Sequence, residues 1–470
     1  MHYYKACKVK IDFFKHTLSL EFQHVKDQVG VGEKRQWSCV GCDGLPYILG
    51  SRIIDRNNDL KDLLLIPGYG HLEMNVVKSC FKLLWDISLQ DLAQMLGFRT
   101  PRALVCCQNC TDHHKAWMML KIFLFGTIDE LLYTYVSFIR IEKQTPTVDG
   151  LYAYKAQSED KNYRFMCDVL LNYVLAVFVF RCGVRRNNYR YIMAGKCKFM
   201  KLFYGFNQTY YQEIMFRDLK ARVFAPEEVK QFLENTESFS ISGDHSKGEG
   251  GDFVLEAVNG RAKRWLPPGI PTQNHWLKVC RNLDSLQKIK DNTFNQLDLK
   301  QPTPKMYQRD ITTEVLEWRC KIRKSGYLGN KETNKEHCSI SGTYADHELF
   351  LFESKCSSNM NIYLDGIENG KEPGKGINII PVFTTLLHRQ KFNDVEKKSK
   401  QQIATIIEDA IKSIHNNGHT DAAFVLEQRW KKIKVKTKKD MLGFYKEVIQ
   451  ALENATADEI DDEQSDDDRE

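Results

Sequence analysis

Two polar side chains in this sequence follow directly after short apolar runs, where they could do chemistry. Asp43 closes the run at residues 37–42, and His71 follows the turn at 67–70, after the apolar run 62–66. A carboxylate at the end of a buried strand costs free energy unless it is paired, hydrogen-bonded or bound to a metal. A Mg²⁺ ion that is held by carboxylates can promote cleavage of a phosphodiester bond. We therefore take Asp43 as a candidate metal ligand and His71 as a candidate catalytic histidine.

A second polar group comes much later in the chain. Asp252 and Glu256 follow two glycines and are four residues apart, so they share one face of a helix. This spacing would let both carboxylates join Asp43 around a Mg²⁺ ion. The alternative is that Asp252 caps its helix and Glu256 is solvated. For His71, the alternative is to cap the next helix or to bond a carbonyl group.

Cysteine and histidine spacing offers another kind of metal site. Cys107 and Cys110 form a Cys-x-x-Cys pair with His113 and His114 close behind, a spacing found in zinc sites. An earlier pair, at 39 and 42, lies on a predicted strand, where residues three apart point to opposite faces. Free cysteines are also among the most buried residues. We therefore expect buried cysteines and a helix start near residue 112, with zinc as the alternative.

The elements that must position these residues alternate between helix and strand. Apolar periodicity predicts a helix at 8–28, a strand at 36–42, a strand at 62–66 and a helix at 73–97. Ligands of an open α/β sheet lie beyond the carboxyl ends of its strands, which is where Asp43 and the following turn would be. Most of the remaining chain has helical periodicity.

Composition limits the class of protein. The 470 residues are 42% hydrophobic, which is enough for a large core. Fourteen cysteines without a secretory signal indicate a reducing compartment, so we expect a nuclear or cytoplasmic protein and not a secreted one. The most apolar run, 169–180, falls short of the roughly 20 residues of a spanning helix. It predicts a buried core helix and no membrane partner.

Charge is distributed unevenly along the chain. The net charge is +6, but residues 458–470 contain nine acidic residues and one arginine, so the rest of the chain carries +14. A basic body favours a polyanionic partner, and we expect DNA. The alternative for the acidic tail is a solvated, disordered segment with no binding role.

Basic side chains with neighbouring tyrosines mark a candidate nucleic-acid surface at 185–201. Arginine and lysine bind phosphates, and aromatic rings stack on bases. The alternative is a solvated helix face, and the lysine-rich run at 431–439 is interpreted as a nuclear-import signal. The candidate phosphate contacts in this surface are Arg185, Arg186, Arg190, Lys196, Lys198 and Lys201.

Several motifs carry a family resemblance: VGCDGLPY, IPGYGHLEMN, TDHHKAW, YYQEI and GEGGDFVLEAVNGRAKRWLPPG, with RNLD soon after. As a set they resemble a eukaryotic domain family of unknown function whose members look like DDE transposases, which are RNase H-like, with a helical insertion. The resemblance covers residues 36–350. It implies that Asp43 is the second catalytic acid, His71 the turn histidine and Glu256 the third acid. Lys263 follows as a further nucleic-acid contact.

The resemblance also implies a first catalytic aspartate on a strand before the helix at 8–28, and only seven residues precede that helix. Asp12 lies within the helix and is a poor substitute. We therefore expect an N-terminally truncated chain with an incomplete catalytic site. An active form would be a Mg²⁺-dependent DDE-type nuclease or strand transferase.

The expected fold class is α/β and predominantly helical, with an incomplete RNase H-like core, a large all-α insertion and a helical C-terminal region. The expected function is that of a transposon-derived, domesticated nucleic-acid-binding protein. The alternative is a helical protein-interaction scaffold without nuclease or DNA-binding activity. The predicted segments are a partial core at 1–100, a helical insertion at 101–240, a helix with the last acid at 241–290, a mixed irregular region at 291–385, a basic helical region at 386–456 and an acidic disordered tail at 457–470.

Overall fold

In a computed structural model of the chain, two short parallel strands lie beside a much larger body of helices. Strand β1 is Ser38–Cys42 and strand β2 is Leu63–Pro67, and they pair in register from Ser38 with Leu63 to Cys42 with Pro67. Both predicted strands are therefore confirmed. The structure describes residues 11–448 except 241–242, 245, 299–309, 330–336, 343–350, 375, 378, 380–398, 417–419, 434–436 and 446.

Helices cover the sheet because its strands are largely apolar. Helix α1 (Ile11–Val29) precedes β1, and α2 (Gly44–Arg56) leads through a 3₁₀ turn at Asn58–Leu60 into β2. Apolar side chains of this size each contribute about 1.5–3 kcal/mol when they are fully buried. The small core around the sheet contains Phe22, Val31, Tyr47, Ile48, Leu60, Leu63, Leu65 and Ile214.

The chain leaves β2 into the first helices of the main body. Helix α3 (Tyr69–Leu84) continues through a π-helical turn at Trp85–Leu89 into α4 (Gln90–Met95). Helix α5 (Pro101–Gln108) and helix α6 (His113–Ile141) follow. The Asp112 carboxylate accepts a hydrogen bond from the Lys115 amide at 3.1 Å, which confirms the predicted helix start.

Between residues 90 and 235, every regular element that the structure describes is a helix. Two continuous helices, His113–Ile141 and Lys161–Arg185, are long and apolar enough to cross a membrane, but about half of each apolar window is buried within the fold. The predicted core helix at 169–180 is confirmed, since Leu170 and Phe180 are fully buried. The remaining helices are α7 (Val148–Gln157), α8 (Lys161–Val169) with a π-helical turn at Leu170–Val174, α9 (Leu175–Arg185), α10 (Tyr189–Phe199), α11 (Lys201–Gly205), α12 (Thr209–Phe224) and α13 (Glu227–Asn235).

The chain then returns to the sheet. Helix α14 (Gly251–Lys263) packs against α3 and contacts β1. Helix α15 (Gln273–Gln296) begins with a capping box between Thr272 and His275 and packs against α14. This return brings residues predicted to act late in the chain next to the carboxyl ends of the strands.

The segment predicted to be mixed and irregular, 291–385, contains two long helices. These are α16 (Thr312–Ser325) and α17 (Phe352–Glu368), and the expectation of irregular structure over these spans was wrong. Trp318 and Phe352 are buried in the main helical core, and this burial stabilises helices that have weak periodicity of their own.

Helices α18 (Lys400–Asn416) and α19 (Thr420–Ile433) build a second core around buried residues such as Ile407 and Trp430. The lysine-rich run at 431–439 lies partly outside the described residues, and the tail at 457–470 lies wholly outside them. The predominantly helical class and the small parallel sheet are confirmed. The RNase H-like assignment stays a prediction.

Candidate metal centre

The carboxyl ends of the two strands place Asp43 and His71 side by side. Cys42 ends β1 and accepts a hydrogen bond from the Gly68 amide at 2.9 Å, so the chain leaves both strands at one edge. Asp43 is the N-cap of α2 but makes no side-chain bond to that helix. Its carboxylate contacts the His71 imidazole instead, with Oδ1 2.9 Å from Nδ1.

Asp252 completes this cluster from α14. Its Oδ2 lies 3.0 Å from Nδ1 of His71, the same ring nitrogen that Asp43 contacts. The Gly70 amide donates to Oδ1 at 3.0 Å and the His71 amide donates to Oδ2 at 2.8 Å. These amides are in the first turn of α3, whose N-cap Gly68 has no side chain. Asp252 therefore caps α3, whereas capping of its own helix was the alternative considered from sequence.

We call Asp43, His71 and Asp252 the acidic centre. Its close packing requires glycine at Gly68. A Cβ atom there would lie 2.7 Å from an Asp252 oxygen and 2.8 Å from an Asp43 oxygen. Any other residue would push one of the carboxylates away from the histidine.

The electrostatics of the acidic centre favour a positive charge between the two carboxylates. Burial opposes the charged form of His71, but hydrogen bonds and attraction from Asp252 and Asp43 raise its pKa to about 10. Burial also opposes the charge on Asp252, yet the His71 ring and the amides of His71 and Gly70 lower the pKa of this carboxyl. The imidazolium thus occupies the position that a bound cation would take.

Glu256 lies on the other side of the histidine ring. Its Oε1 is 4.0 Å from Nε2 of His71, and its side chain is 61% exposed. Asp43 and Asp252 instead meet at Nδ1. The predicted grouping of Asp43, Asp252 and Glu256 around one ion is therefore not what the structure presents, because the imidazole separates Glu256 from the other two carboxylates.

The donors of the acidic centre fit a divalent cation when His71 is neutral. One ligand atom from each of the three residues lies within 4.8 Å of the others, and this is the only such metal-ligating cluster among the described residues. The contacts of 2.9 and 3.0 Å match the separation of about 3 Å between adjacent ligands of an octahedral ion with bonds of about 2.1 Å. Two carboxylates and an imidazole suit Mn²⁺ or Zn²⁺, whereas Mg²⁺ prefers oxygen ligands.

A hydrogen-bonded pair supports the first turn of α3, which carries His71. The Asn75 side chain donates to the His71 carbonyl at 3.0 Å and to the Tyr211 hydroxyl at 2.6 Å. Burial, and then the negative charge of Asp43, raise the pKa of Tyr211 well above its usual range. Tyr211 therefore stays a neutral hydroxyl beneath the acidic centre.

A cleft of about 460 Å³ opens beside the acidic centre. Gly70, Gly250 and Glu256 line the end nearest to the centre, and His113, His114, Arg181 and Arg185 line the other end. We use "the cleft" for this space throughout. Its walls come from α3, α6, α9 and α14, so four distant parts of the chain meet there.

Arginine and histidine side chains are held in the cleft by two glutamates. Arg181 stacks over the Trp117 ring at 4.2 Å and pairs with buried Glu73, which also contacts Nε2 of His113 at 3.1 Å. Arg185 donates to Glu249 at 3.0 Å. Each guanidinium has five N–H donors, so these pairs leave donors available to an anion.

The predicted nucleic-acid contacts lie in different environments. Lys196 is wrong as such a contact, because it is fully buried and paired with Asp218. A lysine without water access cannot reach a phosphate. Arg185 lines the cleft, Arg186 and Arg190 are exposed, and Lys263 is exposed on α14. Lys198 donates to Asn172 at 3.2 Å and Lys201 pairs with Glu353 at 2.7 Å.

Lys196 belongs to a set of charges that we call the buried ion network: Lys196, Asp218, Arg222, Glu237 and Tyr69. Arg222 donates to Asp218 at 2.9 Å and to the Tyr69 hydroxyl at 2.9 Å, and it also pairs with Glu237. All four charged residues are at most 6% exposed.

The predicted zinc ligands do not converge within the described part of the chain. Cys107 lies near the C-terminus of α5, and Cys110 lies in the following turn with a positive φ of 54°. His113 is engaged by Glu73, and the rings of His113 and His114 are 6.2 Å apart. Burial raises the pKa of the Cys110 thiol to about 12.

Arg181 and Glu73 are site residues that the sequence did not reveal. Arg181 ends a long apolar run, which gives it the pattern of a core helix terminus, and Glu73 lies within an apolar helix. A buried charge in such a setting is a signal of a partner, but the partner is 108 residues away in the chain.

Comparison with protein-family models, with curated proteins and with solved structures finds no match to this chain. The resemblance to DDE transposases therefore rests on the sequence motifs.

Proposed function

We propose that this chain is a transposase-derived, RNase H-like protein that binds nucleic acid beside a divalent-cation site and does not complete a DDE catalytic centre. The observation that carries the proposal is the position of the cleft, which is lined by Arg181 and Arg185 and also by Glu256, whose Oε1 is 4.0 Å from Nε2 of His71. A phosphodiester needs cationic donors along its backbone and a cation or imidazolium near its reacting group. The cleft offers the donors, and the acidic centre lies next to it.

Asp43, Asp252 and neutral His71 would hold the cation, and the imidazole ligand favours Mn²⁺ or Zn²⁺ over Mg²⁺. When bound, it would supply Lewis-acid charge to a phosphate oxygen. The chain itself supplies the two arginines that orient the backbone. It also supplies the Asn75–Tyr211 pair, which keeps the first turn of α3, with His71, in place.

The incomplete catalytic centre is inferred from Glu256. A DDE centre needs its carboxylates around shared ions, but Glu256 faces Nε2 of His71 while the two aspartates meet at Nδ1. Only two carboxylates therefore share a ligand position. We expect binding without efficient strand cleavage.

Fluorescence anisotropy with labelled DNA, over about 50 to 200 mM salt, tests the binding. Arg185→Gln should weaken binding and reduce the salt slope by about 1, because one phosphate contact is lost. Arg140→Gln is the matched control, since Arg140 is exposed on α6 and does not line the cleft. A chain that has no DNA affinity at low salt would contradict the proposal.

The catalytic part is tested separately with supercoiled plasmid and Mn²⁺ or Mg²⁺. We expect little nicking by the purified chain. Rapid metal-dependent nicking that Asp43→Ala abolishes would show a complete centre and refute this part while leaving nucleic-acid binding in place.

A protein-interaction scaffold is the second candidate function. It is favoured by the exposed apolar side chains of Phe424 and Val425 on α19, which are 61% and 55% exposed. A specific protein partner together with no DNA affinity at low salt would favour the scaffold over the first proposal.

A further inference from the structure

A second basic pocket lies at the far end of the helix that carries Asp252. It has a volume of about 200 Å³ and lies between the C-terminal end of α14 and the middle of α15. Within the described part of the chain, no acidic side chain lines it. Its lining residues are Arg261, Arg264, Trp265, Gln287 and Lys290.

The charges of this pocket are not neutralised by ion pairs within the described residues. No ion pair joins Arg261, Arg264 or Lys290 to a carboxylate in the part of the chain that the structure describes. Gln287 uses its side chain to donate a hydrogen bond to Asp291 at 2.9 Å. Three cations within one pocket repel each other and attract an anion.

Trp265 gives the pocket an aromatic face. Its side chain is 38% exposed, although tryptophan is among the residues that gain most from burial. The chain turns at this point, where the Trp265 amide bonds the Ala262 carbonyl at 3.0 Å while Ala262 itself is buried. The ring therefore stands at the pocket wall rather than in the contact between the helices.

We propose that this pocket binds single-stranded nucleic acid, with one base stacked on Trp265 and the flanking phosphates held by Arg261, Arg264 and Lys290. Bases stack on aromatic rings whatever their identity, and basic side chains follow the backbone. The volume is below the about 300 Å³ of drug-sized ligand pockets, which suits one base rather than a larger ligand.

This inference rests on the proposed nucleic-acid binding and specifies its substrate class. Asp252 lies in the first turn of α14 and Trp265 lies two residues beyond its last residue, and the 13 residues of this helix at about 1.5 Å each span about 20 Å. A strand of several nucleotides covers that distance. The pocket would hold one part of the nucleic-acid strand while another part of the strand enters the cleft.

The test compares three probes in anisotropy titrations: a labelled thymidine oligonucleotide, an abasic oligonucleotide of the same length and a duplex. We expect Trp265→Ala to weaken binding of the thymidine oligonucleotide by about 5- to 100-fold, in line with the loss of one stacked base. Trp265→Phe should retain most of the affinity. Binding of the abasic oligonucleotide should not change with Trp265→Ala.

Lys290→Gln should weaken both single-stranded probes by several-fold. The control is Lys288→Gln, because Lys288 is exposed on the same helix and does not line the pocket. Unfolding curves show whether each variant keeps the stability of the unmodified chain.

The outcomes separate this inference from the proposed function. If Trp265→Ala binds the thymidine oligonucleotide as tightly as the unmodified chain, the pocket assignment is overturned. Duplex binding that depends on Arg185 but not on Trp265 overturns the pocket and leaves the cleft proposal standing. No binding of any probe overturns both.

Discussion

The acidic centre and the buried ion network begin from the same turn of α3 and differ in their access to water. Tyr69 contributes to the network, and His71, two residues later, contributes to the acidic centre. In the network every charge is at most 6% exposed and has an opposite charge beside it. In the acidic centre the Asp43 side chain is 46% exposed and the His71 side chain is 29% exposed.

The difference shows that burial determines whether similar charged side chains stabilise the fold or can also bind a ligand. A fully buried set of charges cannot exchange partners with a ligand, so it can only fix the elements that carry it. A half-exposed set can exchange a proton or a cation with solvent.

The largest effect is expected from Arg222→Ala in the buried ion network. The change leaves Asp218 and Glu237 without their shared cation, and loss of one partner in a buried set costs about 3–5 kcal/mol of unfolding free energy. Urea unfolding measures this loss. Lys220→Gln, an exposed change on the same helix, should stay within about 0.5 kcal/mol. A loss below about 1 kcal/mol for Arg222→Ala would mean that the network is not structural.

Gly68→Ala should disturb the acidic centre and cost less. The added methyl group would meet both carboxylates at less than 3 Å, and overpacking of this kind costs about 1–3 kcal/mol. Gly260→Ala is the control, because a Cβ there meets nothing within 4 Å and alanine favours the helix by about 0.5–1 kcal/mol. Thermal unfolding should therefore move in opposite directions for the two variants. Stabilisation by Gly68→Ala would argue against the close contact of the carboxylates.

Asp252→Asn and Glu256→Gln test which carboxylates share the proposed cation. Titration calorimetry with Mn²⁺ should show more than about tenfold weaker binding for Asp252→Asn, which removes a proposed ligand, and less than about threefold for Glu256→Gln. Asparagine can still cap α3, so the fold should persist. Equal losses in the two variants would show that Glu256 shares the ion, as the sequence pattern suggested.

His71 adds a pH dependence to the stability of the fold. Its pKa is raised from 6.5 to about 10, so its pairing stabilises the fold fully below pH 6.5. That contribution is lost as pH rises through about 10. The stability difference between the unmodified chain and His71→Gln should therefore shrink over this range without added metal. If the stability difference between the two chains stays constant as pH rises, the charge of His71 does not stabilise the fold.

The sequence predicted the first half of the site because local rules determine it. Asp43 and His71 follow apolar strands and turn residues, and neighbouring parallel strands bring such positions to one edge. The four-residue spacing of Asp252 and Glu256 correctly predicted that they share one helix face near this edge. The side of the imidazole that each acid occupies depends on tertiary packing, which spacing does not encode.

Other predictions failed where tertiary burial overrode local pattern. Lys196 has the sequence surroundings of a basic surface, but Asp218 and Arg222 hold it in the core. Helix α17 has weak periodicity and becomes stable through buried Phe352 and Tyr363.

The cap that Asp252 provides to α3 has a consequence for synthesis of the chain. The Gly70 amide and its acceptor are 182 residues apart. At about 5–20 residues per second, a ribosome needs roughly 10–40 seconds to add the chain between them. During that interval the first turn of α3 lacks its acceptor, and Asp43 and His71 have no third member. The acidic centre therefore cannot assemble until α14 has been synthesised, so a nascent chain that stops before α14 would emerge with its strands but without its site.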